Sequence, residues 1–204
     1  MTQDTYKTVR QAAESVLKIK GSQFIGHILA VHSREEAEAE LNRLRKIYHD
    51  ATHNCFAYRI GISGREISRF SDDGEPSGTA GRPILQALQS SDVTDVLLVV
   101  TRYFGGTKLG TGGLTRAYNQ SAQQTLENAG FKEVILSEEI HFSLPYDCFG
   151  LVQTLLDKYG GRIGHIAYDK DVAMQVFVRR SKAEVFRTQV TEQSNGRIKM
   201  KVQP

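Results

Sequence analysis

Cysteine and long apolar runs are both scarce in this sequence, and each scarcity excludes a class of protein. Only 2 of the 204 residues are cysteine, Cys55 and Cys148, which is too few for a disulfide scaffold or a four-cysteine zinc site. Both are therefore expected to be free thiols. The longest aliphatic run, Val96 to Val100, is far shorter than the roughly 18 apolar residues that a membrane-spanning helix needs. The sequence predicts no membrane span.

A secretory signal and a strong charge of one sign are also lacking. Residues Met1 to Asp4 show no basic region followed by an apolar stretch, so the expected location is the cytoplasm. Lysine and arginine total 26 against 23 acidic residues, a net charge of +3. This mild basic excess permits contact with nucleic acid without arguing for it. With 40% hydrophobic and 24% charged residues, the composition is that of an ordinary globular protein.

The residue pattern changes after Gly130, and we predict two domains, residues 1–134 and 135–204. The second domain is predicted as strand, helix, strand, strand, helix, strand, the order of a ferredoxin-like α+β fold. Its third strand has the clearest period of two, with inward positions at Val172, Met174, Val176 and Val178. Ser181 and Glu184 predict a capping box at its second helix.

The first domain also mixes strands and helices. Its best-defined helix follows a capping box of Ser33 and Glu36 and carries a buried stripe of Ala37, Leu41, Leu44 and Tyr48. Residues 63 and 64 predict a hairpin turn, Pro83 predicts the start of a helix, and the apolar run 96–100 predicts a strand covered on both faces. The remaining predicted elements are strands at 15–20, 23–31, 53–60 and 66–70 and a helix at 114–129.

A glycine-rich segment, residues 105–113, joins the buried strand to the last helix of this domain and holds five glycines in nine residues. Backbone N–H groups before a helix attract anions, and three nearby cations add positive charge. We therefore predict a phosphate-binding or ligand-binding site made of Arg102, Gly105, Gly106, Lys108, Gly110, Gly112, Gly113 and Arg116.

Two observations keep this prediction open. Thr111 stands where a Walker motif has its lysine, and Thr115 stands at the third glycine position of a dinucleotide motif. Alternatively, the glycines allow tight packing of the following helix, through Leu114, Ala117 and Ser121, onto the sheet.

The acidic segment 71–81 carries three carboxylates, Asp72, Asp73 and Glu75, beside a turn. Magnesium in proteins is commonly held by one or two carboxylates together with phosphate, so these residues could face the glycine-rich segment across a nucleotide. The alternative is an ordinary solvated turn, since aspartate, glycine and proline are common turn formers. No other cofactor is expected.

Two further groups of residues are weaker candidates. His53 and Cys55 share a strand face, as a base and a nucleophile would, but no third orienting group is identifiable, and we assign no catalytic residue. The open face of the second domain's sheet is predicted to carry a low-priority nucleic-acid set, with the alternatives of a solvated face or one packed on the first domain. That set is Phe177, Arg179, Arg197, Lys199 and Lys201.

Four strings of residues together resemble the YigZ/IMPACT family. They are His53 to Cys55, Phe70 to Gly81, Thr101 to Gly106 and Leu109 to Leu114. The resemblance covers about residues 18–128, and the remainder is similar to the second domain of the bacterial members. It implies a left-handed βαβ domain like domain IV of elongation factor G, followed by a ferredoxin-like domain similar to its domain V.

The resemblance also implies a function. Eukaryotic members regulate translation by competing with a stress kinase for its activating partner, through an additional N-terminal domain that has no counterpart here. We expect a non-enzymatic, translation-associated regulator that contacts RNA, the ribosome or a translation-related protein through two glycine-containing loops, the glycine-rich segment 105–113 and the acidic segment 71–81. The alternative is a phosphate- or nucleotide-binding enzyme with magnesium on the acidic segment. The sequence carries no signal for an oligomeric state.

Overall fold

The computed structural model describes residues 4–62 and 64–202, and these divide into two compact units. One unit comprises residues 6–134, and the other comprises residues from 135 onward together with residues 4 and 5. The division falls between residues 134 and 135, and it places residues 4 and 5, expected in the first domain, with the second unit. Among residues 4–62 and 64–202, none of the helices combines the length and the apolar composition that a membrane span requires.

The first unit is built on a five-stranded sheet in the order β2-β3-β6-β4-β5, in which every neighbouring pair is antiparallel. A short two-stranded sheet pairs β1 with β7. The elements in chain order are β1 Thr5–Val9, β2 Ala13–Ile19, β3 Ser22–Ala30, α1 Arg34–Ile47, β4 His53–Ile60, β5 Ile67–Ser71, α2 Gly81–Ser90, β6 Val96–Tyr103, α3 Gly110–Ala129 and β7 Phe131–Ile135.

Strand β6 lies at the centre of this sheet and is buried on both faces, as its unbroken apolar run predicts. Val96, Leu98 and Val100 belong to one core cluster with residues of α2 and α3, whereas Leu97 and Val99 belong to another with residues of α1. Strands β3 and β4 are both antiparallel to β6, so they run parallel to each other with β6 between them. The chain therefore crosses over β6 through α1.

Helix α1 follows its sequence signals closely. Ser33 is the N-cap and accepts the Glu36 amide at 3.1 Å, and Ala37, Leu41 and Leu44 are buried. The Glu36 carboxylate accepts from the His32 amide at 2.6 Å, one residue before the N-cap. Two backbone amides at the N-terminus of α1 are thus bonded by the side chains of the capping box that the sequence predicts.

The starts of α2 and α3 differ from the sequence predictions. Helix α2 begins at Gly81, two residues before Pro83, and α3 begins at Gly110 rather than at residue 114. The apolar periodicity places the start of a helix at its first apolar side chain, and the glycines in the first turn of α3 have no side chain to contribute to the pattern. Of the predicted hairpin turn, residue 63 lies outside the described residues, and Gly64 has a φ of +83°.

The second unit is a four-stranded antiparallel sheet in the order β11-β8-β10-β9, which confirms the ferredoxin-like arrangement. The inward positions of its strand at residues 172–179 are buried, as predicted, and they belong to the same core cluster as Phe142 and Phe186. The elements are β8 Ser137–Leu144, α4 Phe149–Tyr159, β9 Arg162–Tyr168, β10 Val172–Arg179, α5 Arg180–Gln193 and β11 Lys199–Val202, with a 3-10 turn at Tyr146–Cys148 before α4. The two-domain α+β fold class is confirmed.

The capping box predicted from Ser181 and Glu184 is wrong. Helix α5 begins at Arg180, and its N-cap, Arg179, makes no side-chain cap hydrogen bond. Instead, the Ser181 amide donates to the Asp4 carboxylate at 2.7 Å, and the Ser181 hydroxyl donates to its other oxygen. These bonds hold the pKa of Asp4 below its usual range. The cap comes from a residue far away in the sequence, which no local pattern can show.

Candidate functional site

The glycine-rich segment leads from the end of β6 into the start of α3. Leu109 occupies the N-cap position of α3 and makes no side-chain cap hydrogen bond. The first N–H groups of a helix have no partner within the helix, and they carry the positive end of its dipole. Gly106, Lys108, Gly110 and Thr111 are exposed here. The start of this 20-residue helix therefore presents backbone donors to the outside.

A cavity of about 450 Å³ opens beside this helix start. The most buried polar side chains of its lining, those of His53, Glu75 and Arg102, form its floor. Its walls are largely apolar, and its mouth carries backbone and polar groups. The walls are Pro76, Phe104, Leu109 and Leu114, and the mouth is formed by Thr52, Lys108, Gly110 and Thr111. Arg102, Lys108 and Gly110 of the predicted phosphate site therefore line one cavity.

The floor of the cavity is a buried ion pair. Arg102 donates to Glu75 at 2.6 Å, and the two side chains are only 6% and 3% exposed. The Tyr118 hydroxyl donates to the same Glu75 oxygen at 2.8 Å, and His53 Nε2 lies 3.9 Å from it. Arg102 Nε is also buried, yet it has no hydrogen-bond partner among the residues that the structure describes. Arg102 was predicted as a phosphate ligand, and its charge is already balanced by Glu75.

The acidic segment serves the fold. Asp72 accepts from the amides of Gly78, Ala80 and Gly81 at 2.8, 3.0 and 2.8 Å, and so caps the start of α2. Asp73 accepts from the Asn54 amide at 2.7 Å and from Arg45 at 2.9 Å. Together with the buried Glu75, all three predicted magnesium ligands thus have donors within the protein.

The residues 4–62 and 64–202 hold no group of three or more His, Cys, Asp or Glu placed to bind a metal ion. The magnesium prediction for Asp72, Asp73 and Glu75 consequently gains no support from the geometry. Both carboxylate oxygens of Asp72 and of Asp73, and one oxygen of Glu75, accept from amide, guanidinium or hydroxyl donors.

The glycines of the segment have different roles. Gly105 packs against the backbone of Gly21, and a Cβ added to Gly105 would lie 1.8 Å from the Gly21 carbonyl carbon. Its amide donates to Ser22 Oγ at 3.1 Å. Gly106 and Gly110 have φ values of +84° and +71° and open space around them. The packing interpretation therefore holds for Gly105, whereas the other two leave the backbone accessible.

The remaining members of the predicted set lie on the first turns of α3. Gly112 and Gly113 belong to the first helical turn rather than to a loop. Arg116 is exposed on α3 and does not line the cavity. Two residues that the prediction missed are Phe104 and Tyr118. Phe104 is 48% exposed at the cavity, and an aromatic residue next to a glycine pair was the only sequence signal for it.

His53 and Cys55 do not form a nucleophile and base. The Cys55 thiol is fully buried, donates to the Asp72 carbonyl at 3.0 Å, and lies 3.4 Å from the Tyr118 hydroxyl. Burial raises the pKa of Cys55 above its ordinary value, so the reactive thiolate is disfavoured. His53 Nδ1 lies 2.7 Å from the Asp73 carbonyl oxygen. Both Cys55 and Cys148 are free, as predicted.

In the second unit, the open face of the sheet holds part of its predicted set. Lys199 pairs with Ser143 and Lys201 with His141, and both lysines are exposed. Arg179 is half-buried. The ring of Phe177 is covered by the guanidinium of Arg162 at 4.1 Å.

The strand position predicted for Arg197 is wrong. The last strand begins at Lys199, and Arg197 lies in the loop before it. Its guanidinium is paired with Asp147 at 2.6 Å. A loop residue can continue the period of two of a neighbouring strand by chance, so the alternation alone does not show where β11 begins.

Comparison with known proteins identifies both parts of the chain. The family profile described as the Impact N-terminal domain matches residues 20–126, and a second profile, a domain of unknown function (DUF1949), matches residues 142–197. The IMPACT family member YvyE of Bacillus subtilis is 38% identical over 197 residues, covering 97% of this chain and 90% of that protein.

Two solved structures also match this chain, to different extents. A crystal structure of a hypothetical protein superimposes with a TM-score of 0.69 and 30% identity, covering 100% of this chain and 99% of that one. A structure of the two-domain translational regulator Yih1 matches 61% of this chain and 47% of its own, with 28% identity and a TM-score of 0.39.

Proposed function

The chain belongs to the IMPACT family, and from this premise we propose that it is a non-enzymatic, translation-associated regulator that binds RNA. The RNA would be free or part of a ribosome. The binding region would be the α3 N-terminal surface, which we define as residues 104–113. The observation that carries the proposal is the exposed, uncapped start of α3 beside Lys108, at the mouth of the 450 Å³ cavity.

The chemistry of this surface suits a phosphate backbone. Backbone N–H groups at a helix start and lysine side chains are both common phosphate contacts in protein complexes with nucleic acids. Gly106 and Gly110 have open space where a side chain would otherwise stand, so a phosphate can approach the main chain. Lys108 adds an exposed positive charge next to it.

The proposed role in the regulation of translation is based on what is described for relatives of this chain. Yih1 is described as a translational regulator, and the same role is part of our proposal for this protein. The magnesium-dependent enzyme has weaker support, because Asp72, Asp73 and Glu75 are committed to internal donors and the Cys55 thiol is buried.

A salt titration of RNA binding tests the proposal. We expect the full chain to raise the fluorescence anisotropy of a short labelled single-stranded RNA, with an affinity that falls steeply between about 50 and 200 mM salt. Lys108→Ala is expected to weaken binding and to lower the slope of log affinity against log salt by about 1, as the loss of one phosphate contact does.

Lys132→Ala is the matched control, since Lys132 is exposed in β7, beyond the other end of α3. It should bind RNA like the unmodified chain. The absence of RNA binding at low salt, or equal losses in both lysine variants, would reject this surface as an RNA site and leave a protein partner as the remaining candidate.

A further inference from the structure

The cavity beside α3 has a size and a lining that phosphate contact alone does not use. Its volume of about 450 Å³ lies within the range of roughly 300–1,000 Å³ that small-molecule sites occupy. Pro76, Leu109 and Leu114 give it apolar walls, and Phe104 stands at its side with 48% of its surface exposed. An exposed aromatic ring at a cavity offers a stacking surface for a flat ligand group.

Charge is distributed unevenly over the cavity. The mouth is positive, since Lys108 and the start of α3 lie there. On the floor, the Arg102 charge is balanced by Glu75 at 2.6 Å. Because this pair has no net charge, it cannot compensate the cost of taking a second anion out of water deep inside the cavity. A ligand matched to this arrangement has a negative group at the mouth and a neutral group inside.

The floor offers hydrogen bonds to such a neutral group. Arg102 lines the cavity with a side chain that is only 6% exposed, and its buried Nε–H lacks an acceptor within the described part of the chain. Beside it are two acceptors. Glu75 has a carboxylate oxygen, and His53 has Nε2, which accepts in the neutral ring because Nδ1 donates to the Asp73 carbonyl. A donor next to acceptors matches the polar edge of a nucleobase.

We propose that this cavity binds one unstacked nucleotide of an RNA chain, with its phosphate at the start of α3, its base against Phe104 and the base edge facing Arg102 and Glu75. The proposal rests on the proposed function, which supplies the RNA. It adds that the protein reads a single splayed nucleotide as well as the backbone. No metal ion takes part, since the anion is met by backbone amides and Lys108.

The probe for the isolated site is adenosine 5′-monophosphate, compared with adenosine and with inorganic phosphate. In the ¹⁵N-labelled full chain, we expect the nucleotide to shift the amide signals of Gly106, Gly110 and Gly112 saturably. Its dissociation constant should be at least tenfold lower than that of either comparison ligand, without added magnesium. Equal affinity for inorganic phosphate and the nucleotide would overturn the proposal, because the helix start alone would then explain the binding.

Two variants test the two halves of the site. Thr111→Asp places a carboxylate at the second residue of α3, where it stabilises the helix and competes for the same amides. Nucleotide binding should be lost while the melting temperature holds or rises, and Thr111→Asn, its neutral counterpart, should still bind. Phe104→Ala should weaken nucleotide binding about tenfold, as the loss of one stacking contact does, and leave phosphate binding unchanged.

The RNA titration separates failure of this inference from failure of the proposed function. RNA binding that is unchanged in Phe104→Ala, together with no preference for the nucleotide, overturns the nucleotide site and leaves backbone binding standing. Nucleotide binding without RNA binding overturns the placement of the nucleotide in an RNA chain.

Discussion

Replacing Asp72 is the most informative single change in this protein, because it tests whether the Asp72 carboxylate stabilises the fold or binds a metal ion. Its carboxylate accepts three backbone amides, those of Gly78, Ala80 and Gly81, at 2.8, 3.0 and 2.8 Å. These bonds close the acidic segment onto the first turn of α2. If the carboxylate serves the fold, its loss should destabilise the protein whether or not a divalent cation is present.

The size of the effect follows from these contacts. Losing the side chain that caps a helix start costs about 0.5–2 kcal/mol, and a hydrogen bond to a charged group contributes about 1.5–3 kcal/mol. Because the three bonds share one carboxylate, they do not add fully, and we expect Asp72→Ala to lower the free energy of unfolding by about 2–4 kcal/mol. At about 3 °C per kcal/mol, the melting temperature should fall by about 6–12 °C.

The assay is thermal and urea unfolding of the full chain, measured in magnesium and in EDTA. Hydrogen exchange at the amides of Gly78, Ala80 and Gly81 locates the change. Asp72→Asn should fall between the alanine variant and the unmodified chain, because one oxygen still accepts. Glu127→Gln is the matched control, removing the charge of an exposed carboxylate in α3. The capping argument is wrong if Asp72→Ala and Glu127→Gln have the same melting temperature in EDTA. It is also wrong if Asp72→Ala is less stable than the unmodified chain only in magnesium.

Two further predictions concern the first unit. Gly105→Ala should destabilise the protein by about 1–3 kcal/mol, because its Cβ would lie 1.8 Å from the Gly21 carbonyl carbon, which is backbone; Gly112→Ala has no such neighbour and should hold or raise the melting temperature. Equal melting of these two variants would contradict the close backbone approach. Burial lowers the pKa of His27 below its ordinary 6.5, in spite of Glu14 at 3.1 Å. The neutral His27 side chain therefore contributes to the free energy of unfolding above pH 6.5. This contribution is lost as the pH falls through the pKa of His27 in the folded protein. Urea unfolding from pH 8 to about 4.5 should show a smaller loss on acidification for His27→Gln than for the unmodified chain, and parallel curves would refute this assignment.

Local patterns in the sequence determined those parts of the fold whose partners are close in the chain. The Ser33 cap and the buried stripe of α1 are both within one helix, and the alternation of β10 alone identifies its buried face. The apolar run of β6 predicted burial on two sides. The motif strings of the first domain predicted the family, because they are long and ordered. Each of these signals requires only a short window of residues.

The tertiary structure decided what depends on residues far apart in the chain. Asp4 caps α5 from the opposite end of the sequence, and Gly105 is required by the backbone of Gly21. Arg102 was predicted as a phosphate ligand, and in the structure it pairs with Glu75 on the floor of a cavity. Local periodicity depends on a residue and its near neighbours, whereas burial, charge pairing and backbone approach depend on which segments the fold brings together. The residue types of the candidate site were therefore evident in the sequence, and their separate roles became evident only in three dimensions.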